Sequence, residues 1–177
     1  WSWSRGLGDV YKRQGHKVTV LVPLENHDIE NLTARLRGMG VIFKNYFLSR
    51  AGLNPFKDYS SYKSISLTIS QCKPDIVMAY TAKPVIYAGV AMRRFPKIRF
   101  FPIITGLGYG FTEGDELKRK LVRQLMILFY KLGLKRAESI IFQNSDDKKL
   151  FYKLKIIHIN MSTNIIHGSG VDLKLYP

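Results

Sequence analysis

The 177-residue sequence contains a single cysteine, Cys72, and therefore cannot form a disulfide bond within the chain. Acidic residues are also scarce, because 13 Asp and Glu oppose 28 Lys and Arg, and the formal net charge is +15. No apolar run approaches the ~18–20 residues that a membrane-spanning helix requires. These deficits exclude a scaffold built on internal disulfides and predict an anionic partner: nucleic acid, phospholipid headgroups or a phosphate-bearing substrate.

The sequence also lacks the patterns of several kinds of catalytic site. Its four histidines show no metal-ligand spacing with the lone cysteine or with carboxylates, so we predict no protein-bound metal. No nucleophile elbow and no Ser-His-Asp pattern is present. The sequence therefore assigns no catalytic residue.

The first fourteen residues, Trp1 to Gln14, begin without Met and show neither strand alternation nor a helical stripe. They resemble a translated sequencing-adapter read-through, and a genuine N-terminal arm is the alternative. We predict that residues 1–14 are non-native. Gly15 and His16 stand directly before an apolar run, which is typical of a helix end followed by a strand. The first strand and helix of the domain are therefore expected to be missing.

From Gly15 onwards, short apolar or β-branched runs alternate with segments of helical periodicity. Because each strand is a continuous apolar run rather than an alternating one, the pattern predicts a parallel sheet covered on both faces by helices. The predicted fold class is α/β with one doubly wound parallel sheet. The predicted strands are 17–23, 41–48, 76–80, 98–104, 139–143 and 164–166, and the predicted helices are 29–39, 56–71, 115–136 and two that begin near 84 and 145.

Ligands of such sheets bind beyond the carboxyl ends of the strands. Thr81 and Lys83 follow the strand that ends at Tyr80 and stand at the start of a helix. A lysine is poorly placed there with respect to the helix dipole, unless it faces a phosphate together with the helix N-terminus. We predict an acceptor or phosphate site at Thr81 and Lys83, and a solvated surface lysine is the alternative.

A glycine-rich loop follows the strand over residues 98–104. Gly106, Gly108 and Gly110 alternate with other residues, which allows the backbone to approach a ligand closely. The loop lacks the dinucleotide fingerprint and the P-loop Lys-Ser/Thr, so its spacing is a weak signal, and a structural turn is the alternative. The predicted ligand-binding residues of this loop are Thr105, Gly106, Gly108 and Tyr109.

Two further polar segments follow predicted strands. In the first, a helix cap formed by Ser145 or Asp146 is the ordinary interpretation, although the neighbouring asparagine at the strand tip can reach into the cleft. The second is a turn-forming stretch near the end of the chain. The predicted cleft-lining residues are Asn144, Gly168, Ser169, Gly170 and Asp172.

The predicted helix over residues 115–136 carries leucines on one face and cations largely off it. The ordinary interpretation is that the leucine face packs on the sheet and leaves a solvated basic side. The alternative is a surface that contacts anionic lipid. The leucines are Leu117, Leu121, Leu125, Leu128 and Leu132, and the cations are Lys120, Arg123, Lys131 and Lys135.

Four segments together resemble the N-terminal half of a GT-B glycosyltransferase of family 4. They are KPVIYAGVAM at 83–92, ITGLGYGFT at 104–112, IFQNSDD at 141–147 and GSGVDLKLYP at 168–177. The sequence is similar to members that transfer an N-acetylhexosamine or related sugar to undecaprenyl-diphosphate-linked saccharides in surface polysaccharide or glycan assembly. The resemblance implies a Rossmann-like acceptor domain over residues 15–166 and a crossover at 167–177 to an absent C-terminal donor domain.

The resemblance also implies a nucleotide-sugar donor, commonly UDP-linked, as a substrate with no further cofactor. It implies retention of anomeric configuration without a bound metal, and Lys83 as a contact of the acceptor diphosphate. The basic helix from Leu117 to Arg136 would rest on the anionic inner face of the bacterial cytoplasmic membrane. Two departures are notable: the family's first strand and glycine loop are absent, and His167 stands where Pro is usual. We expect the chain alone to be inactive.

Other classes of function remain open at the level of sequence. A basic α/β module that binds nucleic acid or anionic lipid without catalysis fits the charge. No nucleic-acid motif is present and the basic residues are spread rather than interleaved with aromatics, so we expect no nucleic-acid partner. A nucleotide-cofactor enzyme that uses the 106–110 loop would need an acidic ribose ligand about twenty residues further on, where the sequence has a basic helix.

Overall fold

The computed structural model describes residues 14–23, 38, 40–46, 48, 54–106 and 117–166. They fall into two units, one that includes the chain up to Ser64 and one that comprises Ile65–Gly168. In the first unit, β1 (Thr19–Pro23) and β2 (Ile42–Tyr46) form a two-stranded parallel sheet. The buried side chains of the two strands are Val22 and Tyr46, and Val41 and Leu48 are buried on either side of β2.

The helix α1 (Pro55–Cys72) has recognisable signals at both ends. Proline suits its first position, and the Asn54 side chain accepts a hydrogen bond from the backbone N–H of Lys57 at 3.2 Å. At its other end, Lys73 takes a left-handed backbone conformation with φ 45°, and Pro74 cannot continue the helix. Five side chains of α1 are buried: Ser61, Ile65, Ser66, Thr68 and Ile69.

The second unit contains a four-stranded parallel sheet in the order β3-β4-β5-β6. Its strands are β3 (Ile76–Tyr80), β4 (Arg99–Ile104), β5 (Ile140–Phe142) and β6 (Thr163–Ile165). The helices α2 (Ala82–Ala91), α3 (Leu117–Leu134) and α4 (Ser145–Lys153) follow β3, β4 and β5, and a short 3-10 turn (Met92–Arg94) extends α2. The register aligns the strand ends, because Tyr80 is opposite Ile103, Ile104 is opposite Phe142, and Phe142 is opposite Ile165.

Aromatic side chains form the centre of this second unit. Phe151 of α4 contacts Tyr130 of α3 edge-on, with ring centroids 5.0 Å apart, and Phe142 of β5 at 5.3 Å. All three are fully buried, and so is Phe100 of β4. Burial also raises the pKa of the Tyr130 hydroxyl. The edge-on contacts add to the free energy gained from burial and fix α3 and α4 against the sheet.

The helices α2 and α3 approach each other backbone to backbone at a pair of glycines. A Cβ atom added at Gly89 would lie 1.9 Å from the carbonyl oxygen of Gly133, and one added at Gly133 would lie 3.0 Å from Cα of Ile86. Only glycine fits such a crossing, since any side chain at Gly89 would overlap backbone atoms of α3. The pair therefore determines which face of α3 points inward.

An ion pair lies at the amino end of the sheet. The guanidinium of Arg99, the first residue of β4, donates to Glu138 from Nε and Nη2, and the shortest distance is 2.6 Å, between Nη2 and Oε1. This hydrogen bonding lowers the pKa of Glu138. Nearby, Nη2 of Arg136 donates to the carbonyl oxygen of Pro96 at 2.8 Å. This edge is therefore held by contacts between the protein's own groups.

The predicted fold class is confirmed, since the strands are parallel and alternate with helices from β2 onwards in the described residues. Two details differ from the sequence prediction. The described strands belong to two hydrogen-bonded sheets, and the second predicted strand is paired only over Ile42–Tyr46. The helix predicted over 29–39 falls almost wholly outside the described residues.

Candidate functional site

Three of the segments predicted to bind ligand lie side by side at the carboxyl edge of the four-stranded sheet. Thr81 follows β3, Thr105 follows β4, and Asn144 comes two residues after β5. Because β3, β4 and β5 are parallel neighbours, their carboxyl ends meet at one edge, and adjacent strands are ~4.8 Å apart. The edge from β3 to β5 is thus about 10 Å wide.

Thr81 has a backbone conformation that is rare for its type. Its φ is 67° and its ψ is 164°, in a region that is normally occupied by glycine. Such a conformation costs about 1–3 kcal/mol for a residue with a side chain, and threonine is β-branched. The carbonyl oxygen of Thr81 accepts the hydrogen bond from the N–H of Val85 at 3.1 Å, which begins α2. Strain is therefore concentrated where β3 passes into α2.

The start of α4 is already occupied by the protein's own groups. The side-chain oxygen of Asn144 accepts from the backbone N–H of Asp147 at 2.7 Å, and its amide nitrogen donates to a carboxylate oxygen of Asp147 at 2.9 Å. Asp146 and Asp147 place two carboxylates in the first turn. The predicted cap at Ser145 or Asp146 is therefore wrong, because the extended backbone of Asn144 brings its own amide to the third helical N–H.

The start of α2 has the opposite electrostatic character. Thr81 provides no side-chain cap, and the first turn contains no acidic residue but does contain Lys83. The positive end of a helix dipole attracts anions, and a nearby cation strengthens that attraction. Of these two helix starts at the edge, α2 is the one that favours a phosphate, whereas the carboxylates of α4 repel it.

Gly106 begins the glycine-rich loop with φ +150°, a value that side chains rarely allow. A Cβ atom placed there would meet nothing within 4 Å, so the glycine is required by its backbone angle rather than by crowding. Thr105 and Gly106 are both half-buried. The chain bends at Thr105, directly after the carboxyl end of β4.

The structure thus brings five predicted residues to one edge of the sheet, and their binding role stays a prediction: Thr81, Lys83, Thr105, Gly106 and Asn144. The other six lie outside the described residues: Gly108, Tyr109, Gly168, Ser169, Gly170 and Asp172. Sequence reasoning missed the strained backbone of Thr81, since threonine before a helix gives no local signal of a positive φ.

The leucine face of α3 is exposed, contrary to its ordinary interpretation. The exposed fractions are 85% for Leu117, 64% for Leu121, 50% for Leu128 and 36% for Leu132. The face that packs inward consists instead of Met126, Ile127, Tyr130, Gly133 and Leu134. The physical reason is the glycine crossing, because the face that contains Gly133 is the one that allows α2 to approach.

The described residues contain neither of two other kinds of site. Among the described helices, none combines the length and the apolar character needed to span a bilayer. Within the described ranges, no three or more His, Cys, Asp and Glu side chains are grouped closely enough to hold a metal ion.

Parallel α/β sheets bind ligands beyond the carboxyl ends of their strands, and a helix N-terminus at that edge favours an anion such as phosphate. Residues 8–144 match the model of the glycosyl transferase 4-like family, and the chain belongs to this family. The chain is also similar to a Campylobacter jejuni enzyme, the N,N'-diacetylbacillosaminyl-diphospho-undecaprenol alpha-1,3-N-acetylgalactosaminyltransferase. The two are 26% identical over 166 residues, which cover 93% of this chain and 42% of the relative.

The solved structure of MurG shows the same fold. The structure of MurG from Acinetobacter baumannii superposes with a TM-score of 0.56 and 13% identity, and the match covers 97% of this chain and 42% of MurG. The calicheamicin glycosyltransferase CalG4 matches 80% of this chain and 44% of its own, with 14% identity and a TM-score of 0.47. The chain has the fold of one half of a GT-B glycosyltransferase and spans less than half the length of these relatives.

Proposed function

We propose that the protein to which this chain belongs transfers a sugar of the N-acetylhexosamine type from a nucleotide sugar to a polyprenyl-diphosphate-linked saccharide. Family membership supports glycosyl transfer, and the Campylobacter relative is named for an undecaprenyl-diphosphate-linked acceptor. The chain corresponds to 42% of that relative, so we assign to it only the acceptor side of the reaction. The donor, expected to be UDP-linked, would be bound mainly by the other half of the GT-B fold.

The observation that carries this proposal is the contrast between the starts of α2 and α4. A diphosphate is an anion of high charge density, and α2 offers a helix N-terminus, a lysine and no carboxylate in its first turn. The start of α4 is capped and acidic. We therefore place the acceptor diphosphate beside Lys83 and Thr81, with Thr105 and Gly106 on the neighbouring strand end.

In this reaction a hydroxyl oxygen of the acceptor sugar forms a bond to the anomeric carbon of the donor. The bond between that carbon and the nucleotide diphosphate breaks, and the hydroxyl proton passes to the departing diphosphate or to water. The acceptor-side residues would position the lipid diphosphate by charge and hydrogen bonding, which lowers the barrier by holding the reactants together. We propose retention of anomeric configuration and no requirement for a protein-bound metal. Addition of a chelator should therefore leave the rate unchanged.

The proposal places the protein on the inner face of the bacterial cytoplasmic membrane. Polyprenyl-diphosphate acceptors are embedded in the membrane, and the net charge of +15 favours an anionic surface. The described helices of the chain include none able to span a bilayer. A peripheral location through the basic helix α3 is consistent with both observations.

The test uses the complete gene product with a panel of nucleotide sugars and a short-chain, water-soluble prenyl-diphosphate N-acetylhexosamine. We expect transfer from one UDP-linked sugar. Replacing Lys83 by Gln should raise KM for the acceptor by about 10–100-fold, the value of a charge-assisted hydrogen bond to an anion.

Lys97→Gln is the matched control, because Lys97 is an exposed lysine that precedes β4 at the opposite edge of the sheet. This variant should leave the KM for the acceptor unchanged. Absence of transfer from every nucleotide sugar would refute the proposal. An equal rise in KM for both lysine variants would show that net charge, rather than the start of α2, binds the acceptor.

A further inference from the structure

Two side-chain amides follow β5 on successive residues, and the structure uses them differently. The Asn144 amide is engaged at the start of α4, where it accepts from the backbone N–H of Asp147 and donates to the carboxylate of the same residue. The Gln143 side chain is half-buried and forms no hydrogen bond within the described residues. Partly buried amides normally find a partner. The amide that remains available to a ligand at this strand end is therefore that of Gln143.

The backbone around Gln143 decides the direction of its side chain. The N–H of Gln143 donates to the carbonyl oxygen of Ile104 at 3.3 Å, and Asn144 is extended with φ −145° and ψ 159°, so the strand geometry continues past β5. Side chains alternate between the two faces of a paired strand. Phe142 contacts Phe151 of α4 and Asn144 caps α4, so both point towards that helix. Gln143 lies between them and points to the opposite face of the sheet.

Neutral polar side chains from the two neighbouring strands share the face to which Gln143 points. Tyr80 of β3 and Ile141 of β5 are both opposite Ile103 of β4. Because side chains alternate along each strand, Tyr80, Thr105 and Gln143 lie on one face at the carboxyl edge, on strands about 4.8 Å apart. All three are half-buried. We call them the neutral row, since a phenol, a hydroxyl and an amide each donate and accept hydrogen bonds without carrying charge.

The composition of the neutral row identifies the chemistry of its ligand. A diphosphate is bound best by cations, and the neutral row contains none. Sugar hydroxyl and acetamido groups instead need partners that donate as well as accept hydrogen bonds. The carboxylates in the first turn of α4 repel a phosphate but not an uncharged sugar. The neutral row thus suits a sugar that is joined to the diphosphate, whereas Lys83 at the start of α2 suits the diphosphate itself.

We propose that Gln143 determines which acceptor sugar the protein uses, by donating a hydrogen bond from its side-chain N–H to the acetamido carbonyl oxygen of the sugar nearest the diphosphate. This inference rests on the proposed function, since it takes the lipid-linked saccharide as the ligand of this edge. In an N-acetylhexosamine the acetamido group stands on the carbon next to the one that carries the diphosphate. A hexose has a hydroxyl at that carbon and no carbonyl oxygen, so the Gln143 N–H would lose its acceptor.

The experiment measures kcat/KM of the complete protein for two water-soluble prenyl-diphosphate acceptors, one with an N-acetylhexosamine and one with the corresponding hexose. The wild type should prefer the N-acetylhexosamine by at least about tenfold. Gln143→Met keeps the length of the side chain and removes its N–H, so kcat/KM for the N-acetylhexosamine should fall by about 10–100-fold. The value for the hexose should change by less than about twofold, because no hydrogen bond is lost there.

Two controls separate recognition of the sugar from a general defect. Gln124→Met is the matched substitution, because Gln124 is an exposed glutamine in the interior of α3, and it should leave both acceptors unchanged. A prenyl diphosphate without a sugar should inhibit Gln143→Met as strongly as the wild type, whereas Lys83→Gln should weaken that inhibition. Equal losses for both acceptors in Gln143→Met, or weaker inhibition of that variant, would assign Gln143 to the fold or to the diphosphate and overturn the proposal.

Gln143→Glu tests the direction of the hydrogen bond. A carboxylate accepts but does not donate, so this variant should use the N-acetylhexosamine as poorly as Gln143→Met does. A preference for the N-acetylhexosamine that survives in Gln143→Glu would contradict donation to the acetamido carbonyl. If the wild type uses the two acceptors equally well, the inference about Gln143 is overturned and the proposed function stands. Transfer to neither acceptor from any nucleotide sugar would overturn both.

Discussion

The two faces of α3 are both rich in large apolar side chains and yet have opposite environments. Leu134 on one face is fully buried, whereas Leu128 on the other is 50% exposed. The difference between the faces is Gly133, which lets α2 approach on its side only. The comparison teaches that the smallest residue of the helix, rather than its leucines, decides which face becomes interior. The other face stays exposed in the part of the chain that the structure describes.

The largest effect is expected from Gly89→Ala, which blocks the helix crossing. The new Cβ atom would overlap the carbonyl group of Gly133, and neither backbone can yield cheaply. We expect a loss of about 4 kcal/mol in the free energy of unfolding, although alanine favours an isolated helix by about 1 kcal/mol over glycine. Urea denaturation followed by circular dichroism measures it. A gain in stability would contradict the backbone contact.

The second effect concerns the buried face itself. Leu134→Ala removes a completely buried side chain and leaves a cavity between α3 and its neighbours. The expected loss is about 3 kcal/mol in the free energy of unfolding. The same denaturation series tests this, with Leu132→Ala as the comparison on the exposed face. Equal losses for the two leucines would show that the two faces are not distinct.

A smaller loss is expected from Gly133→Ala. Its added Cβ atom would lie 3.0 Å from Cα of Ile86, which is tight but without the overlap found at Gly89. The helix propensity of alanine offsets part of the strain, so we expect a net loss of about 1 kcal/mol. Hydrogen exchange of the α2 amides should accelerate in this variant. If both the hydrogen exchange of α2 and the free energy of unfolding are unchanged, α2 and α3 do not cross at Gly133.

The smallest effect is expected on the exposed leucine face of α3. Leu128→Ala removes a side chain that is half exposed and makes little contact with the core. We expect a change below about 0.5 kcal/mol in the free energy of unfolding. The same urea denaturation series measures this change. A loss of stability comparable with that of Leu134→Ala would mean that the leucine face belongs to the core.

The regular parts of the fold were predictable because short apolar runs specify buried parallel strands. The strand over residues 76–80 was predicted with the bounds that the structure has, and its neighbours differ by one or two residues. The orientation of α3 was not predictable from periodicity, since apolar residues recur on two of its faces. The leucines give the stronger pattern, and the decisive contact is a backbone approach to a helix that is distant in sequence.

The candidate site was predictable in position and less so in detail. Because ligands bind beyond the carboxyl ends of parallel strands, the sequence placed Thr81, Thr105 and Asn144 together. The parallel pairing of β3, β4 and β5 confirms that they lie at one edge. The identity of the α4 cap was missed because Asn144, Ser145 and Asp146 are all good caps. The cap is the last of these residues with an extended backbone, which here is Asn144. The position of that residue depends on where β5 ends.

The strands of the four-stranded sheet lie side by side in the order in which the chain is synthesised. Each new strand finds its partner in the segment just before it, as when Ile141 pairs with Ile103. At ribosomal rates of about 5–20 residues per second, the two members of that pair emerge roughly 2–8 s apart. The sheet can therefore grow at one edge during translation. The edge of the preceding strand is already available when a new strand emerges. The new strand is therefore unpaired only briefly and has little time to pair with other nascent chains.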